Sequence, residues 1–112
     1  MTPAKRPAGA DEVDLLAAAV RGVPGVAALH PGMFGEVGTY LPGRRVPGIR
    51  TVGDVTEVHV SIVFDASVRD TAVRVRSAVS ALTGGAVDVT VEDVVPGSTA
   101  EPVDSRPARE RP

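Results

Sequence analysis

The sequence predicts an α/β domain of the α+β kind. It is a small two-layer sandwich in the order helix-strand-strand-strand-helix-strand, with two helices packed on one face of a mixed sheet. Three observations predict it. In residues 56–64, Val58, Val60, Ile62 and Phe64 alternate with Glu57, His59 and Ser61, the period-two pattern of a half-covered strand. From Ser67 the period becomes helical, with Val68, Ala72, Val75, Val79 and Leu82 forming one apolar stripe. After Gly84 and Gly85, Val87, Val89 and Val91 return to strand alternation against Asp88, Thr90 and Glu92.

Taken in order, residues 1–10 hold two prolines, a glycine and no periodicity, and read as a disordered tail. The folded domain spans 11–95. Its first helix starts at Asp11, with acidic residues in the favourable first turn and Val13, Leu16, Ala17 and Val20 as its apolar stripe. Gly22 and Pro24 end it. A short strand follows over residues 26–30. Residues 31–48 contain five glycines and three prolines, a long connector with room for a helical turn or a short strand around Tyr40. Residues 49–52 read as a strand and Gly53-Asp54 as a turn, so that the central strand returns antiparallel. Ser67 and Asp70 supply an S-x-x-D start for the second helix. Residues 96–112, rich in proline and arginine, read as a second disordered tail.

At 112 residues the chain holds one domain, and three aromatic residues leave a core of small aliphatics. The absence of cysteine excludes disulfides and thiolate chemistry and fits a reducing compartment. No apolar run is long enough to span a membrane. The tails hold three acidic and five basic side chains, which leaves the middle with eleven acidic against seven basic, net −4. That balance disfavours a phosphate-binding surface, so no nucleic-acid partner is expected.

Each candidate for chemistry has a plainer reading. His30 and His59 are the two histidines, and His59 reads as a solvated residue on the polar strand face. Asp88, Glu92 and Asp93 lie on or near a flat outer face, where carboxylates do not converge in a cleft. Gly32, Gly35 and Gly38 match neither phosphate-loop spacing and read as a flexible connector. Arg69, Arg74 and Arg76 suit an exposed helix face. Tyr40, Arg44 and Arg45 are the residues expected to form an interaction loop. No catalytic, cofactor or metal residue is expected.

Several stretches together resemble the alkaline shock protein family, the Gls-type envelope stress response proteins of Gram-positive bacteria. They are V-P-G-V-A-A-L after the first helix, V-P-G-I-R-T-V-G-D, E-V-H-V-S-I-V-F, R-D-T-A-V-R-V-R-S-A-V and V-D-V-T-V-E-D-V. The succession, not any single motif, carries the likeness. The segment G-E-V-G-T-Y-L-P-G-R-R-V-P-G-I-R is similar to actinobacterial-type members. The resemblance implies a non-enzymatic, self-associating scaffold in the cytoplasm, held at the inner face of the membrane through a membrane-anchored partner protein without inserting itself. Many members open with an extra strand where this chain has residues 1–10, so one sheet edge is expected to be left open. The alternative reading is a small nucleic-acid- or ligand-binding regulatory domain using the Arg44 and Arg45 loop.

Overall fold

The computed structural model describes residues 10–96. The two tails expected to be disordered lie outside them, except that Ala10 joins the first helix and Pro96 follows the last strand. Helix α1 (Ala10–Arg21) leads to strand β1 (Val26–Leu29). Strands β2 (Gly38–Leu41), β3 (Arg44–Pro47), β4 (Ile49–Val52) and β5 (Val55–Val63) follow. Helix α2 (Val68–Thr83) then connects β5 to β6 (Ala86–Val95). The α+β class and the expected element order hold, with one addition. The glycine-rich connector is not a loose loop: its second half closes into an antiparallel hairpin, β2 on β3, with Tyr40 opposite Arg45.

β5 is the axis of the main sheet. β6 runs parallel to it along its whole length on one side. On the other side β4 pairs antiparallel with its first half and β1 with its second half. The two meet at His59, whose N–H donates to the Gly48 carbonyl and whose carbonyl accepts from the His30 N–H, both at 2.8 Å. The second helix begins as its sequence requires: the Asp70 N–H donates to Ser67 Oγ at 3.1 Å. It ends on Gly84 in the left-handed region, φ 74°, with its N–H on the Ser80 carbonyl.

Both helices cover one face. The core joins Val13, Leu16, Ala17 and Val20 of α1 to Val58, Val60 and Ile62 of β5, Ile49 of β4, Val75 and Val79 of α2, and Val87 of β6. Three expectations fail here for local reasons. Phe64 is 78% exposed, because the chain turns after Val63 and carries it off the strand. The inward stripe of α2 is Thr71, Val75 and Val79, leaving Val68 and Leu82 at the helix ends half in water. Ser61, on the polar face, is buried, because its neighbours on either side are Ala28 of β1 and Asp93 of β6. His30 Nε2 lies 4.0 Å from an Asp93 carboxylate oxygen, so these two side chains approach each other across β5 at that level.

Candidate functional site

The glycine-rich segment and its hairpin build the most distinctive surface. Residues 31–37 are drawn into a closed loop by the Val37 N–H, which donates to the Pro31 carbonyl at 2.8 Å. Val37 is fully buried at its centre, and its own carbonyl accepts from Gly48 at 2.9 Å. At the tip Met33 is 81% and Phe34 89% exposed. The Phe34 N–H is held by the Glu36 carboxylate at 3.1 Å. Hydrogen bonds from the Glu36 and Phe34 backbone amides hold that carboxyl below its usual range, with Arg50 and His59 adding to the effect.

Arg45 fastens this loop to the hairpin. Its guanidinium donates to the Gly35 carbonyl at 2.5 Å and the Val37 carbonyl at 3.1 Å, and it lies 5.3 Å from the centre of the Tyr40 ring. Its Nε is buried without a partner. Tyr40 stays 78% exposed above it. Arg45 is therefore a structural pin between the loop and the hairpin, and Met33, Phe34 and Tyr40 on these two elements all face water.

Arg44, on the opposite face of the hairpin, does not join that group. It makes a bidentate pair with Asp14 of α1, at 3.1 and 2.7 Å, and so ties the hairpin to the first helix. Of the expected trio the structure brings Tyr40 and Arg45 together and sends Arg44 elsewhere. Met33 and Phe34 were legible in G-M-F-G, an adjacent apolar pair with no periodic partner, but nothing in the spacing of the sequence links them to Tyr40.

The hydrogen bond from Arg44 holds the Asp14 carboxyl below its usual range and raises the Arg44 guanidinium in return. A depressed carboxyl means that the contact is complete above the ordinary carboxylate range and is lost as pH falls through the lowered value. Asp14 should therefore titrate below an unpaired aspartate when followed by its carboxyl carbon resonance. The Arg44 side-chain N–H signal should move with it, and should become independent of acid in Asp14→Asn. An Asp14 titration at or above the unpaired value would show that the pair does not persist in solution.

The outer face of the sheet differs from its expected character. His59 is not solvated: its side chain is 15% exposed and Nδ1 lies 2.5 Å from Glu92 Oε2. His59 is opposite Thr90 in the parallel register, and Glu92, two residues further along the same face of β6, reaches it; the register then shifts by one residue between Val60 and Ser61. Arg50 of β4 pairs with Glu57 at 2.7 Å, and Glu57 stands 4.0 Å from His59 Nε2. These groups satisfy one another across three strands. No group of three or more His, Cys, Asp or Glu among the described residues is arranged to hold a metal ion. Among the same residues no helix is long and apolar enough to cross a membrane.

No protein-family model matches the chain. No curated protein matches it either. Among solved structures it is similar to one described as MamM CTD W247A, at 16% sequence identity, over 88% of this chain and 95% of that one, with a TM-score of 0.42. A likeness this loose speaks to neither function nor partner.

Proposed function

We propose that this chain is a non-enzymatic interaction module that self-associates and holds a partner protein. Its place is the envelope stress response that its sequence resembles, at the inner face of the membrane through a membrane-anchored partner. One observation carries the reading. The chain has three aromatic residues, and all three stand in water: Phe34 at 89%, Tyr40 and Phe64 at 78%. Aromatic rings are the largest apolar groups a small domain owns, and a core built without them forgoes much of its stabilisation. Exposed aromatic rings, and a methionine such as Met33 next to Phe34 in the chain, are the side chains that dominate protein contact surfaces. The nucleic-acid alternative needs free arginines, whereas Arg44 is engaged by Asp14 and Arg45 by loop carbonyls.

Sedimentation velocity over a concentration series tests the self-association. The wild-type chain should run above monomer mass as loading rises, and Phe34→Ser with Tyr40→Ala should return it towards monomer. A species that stays monomeric at every loading ends this part of the reading. The cellular part is tested by following the chain's abundance and its membrane-bound fraction after an alkaline shift. No change in either removes the envelope assignment.

A further inference from the structure

The two long edges of the sheet are treated differently. Beyond β4 and the end of β1 the edge is covered: Thr39 Oγ1 donates to the Ile49 carbonyl at 2.6 Å and Gly48 donates to Val37. β6 is ten residues long and, among the described residues, pairs only with β5. An unpaired strand of that length is a template for adding another.

The direction of its free groups follows from the ladder. His59 turns its N–H and carbonyl towards Gly48 and His30, so the alternate residues Thr56, Val58 and Val60 turn theirs towards β6. In the parallel register these bond Asp88 and Thr90, which leaves the backbone groups of Val87, Val89 and Val91 pointing outward. The Val87 carbonyl is met by Arg76 Nε at 3.4 Å, as that direction requires. The same contact shows which side of α2 flanks the edge. Val73, one turn before Arg76 and 51% exposed, shares that side.

We propose that the free edge of β6, from Val89 onward, takes an extended basic peptide segment of a partner protein as an added strand. Its apolar side chains would lie along Val73, and its lysines or arginines opposite the outer-face side chains of β6. Charge selects this occupant over a second copy of the chain. β6 carries Asp88, Glu92 and Asp93 and no basic residue, and antiparallel pairing of two copies centred on Thr90 sets Asp88 opposite Glu92. A basic segment meets the same row with opposite sign. The main-chain bonds would supply affinity and the charge row selectivity.

The probe is a fluorescent eight-residue peptide alternating valine and lysine, compared with one alternating valine and glutamate, added to the full chain. The lysine peptide should bind, shift the amide signals of Val89 and Val91, and weaken as salt is raised. Asp88→Lys with Thr90→Lys, both exposed positions, should weaken it about tenfold and admit the glutamate peptide. Val89→Pro, which removes an outward N–H but no bond to β5, should abolish binding. Equal binding of both peptides, no binding, or shifts confined to Met33, Phe34 and Tyr40 overturns the proposal. So does movement of the Val89 and Val91 signals with protein concentration alone, which would place a second copy on the edge. None of these results depends on whether the Phe34 and Tyr40 surface self-associates.

Discussion

Ile62→Ala should lose roughly 2–5 kcal/mol of stability, whereas Phe64→Ala should stay within about 0.5 kcal/mol of the parent. By strand alternation alone the two residues are equivalent, both facing the helices. In the fold they are not. Ile62 is fully buried between Val26 of β1 and Val94 of β6, within the core formed with Leu16, Ile49 and the buried valines. Phe64 is one residue past the end of β5 and stands in water. For a domain holding roughly 5–15 kcal/mol in total, the first loss is a large share. Urea unfolding monitored by circular dichroism, with the slope unchanged between variants, decides it. A Phe64→Ala loss matching that of Ile62→Ala would show that the alternation runs on through Phe64 and that its ring packs against the helices.

That contrast shows where sequence reasoning reaches and where it stops. Periodicity placed α1, β5, α2 and β6, because in each most of the apolar period falls on the face the element buries. It failed at Phe64, Val68 and Leu82, which lie at or just beyond element ends, where the chain leaves the packed layer. The hairpin of β2 and β3 was hidden for another reason. Its strands are four residues each and rich in glycine, proline and arginine, so their pairing rests on contacts with Val37, Ile49 and Asp14 that no local pattern encodes. The His59 and Glu92 pair was hidden because alternation places both on the outer faces of their strands but does not give the register that makes them neighbours.

Gly48→Ala should lose roughly 2–6 kcal/mol of stability. Gly48 has φ 84° and is buried, and a Cβ there would stand 2.8 Å from Leu29 Cβ, 3.0 Å from the His59 carbonyl oxygen and 3.1 Å from the His30 nitrogen. Two of those three neighbours are backbone atoms of strands already bonded to each other, so they cannot step aside cheaply. The same residue joins β3 to β4, donates to Val37 and accepts from His59. The methyl would thus strain the sheet and loosen the loop that carries Met33 and Phe34. Gly43→Ala is the control: φ is 75°, nearly the same, but nothing lies within 4 Å of its added Cβ. It should cost only the left-handed backbone strain, about 1–2 kcal/mol. The difference between the two variants measures the crowding at the joint. Gly48→Ala should also speed amide exchange at Val37 and lower any self-association through Phe34 and Tyr40, while Gly43→Ala should leave both unchanged. If the two alanines cost the same, backbone strain accounts for both, and Gly48 does not couple the sheet to the exposed aromatic surface.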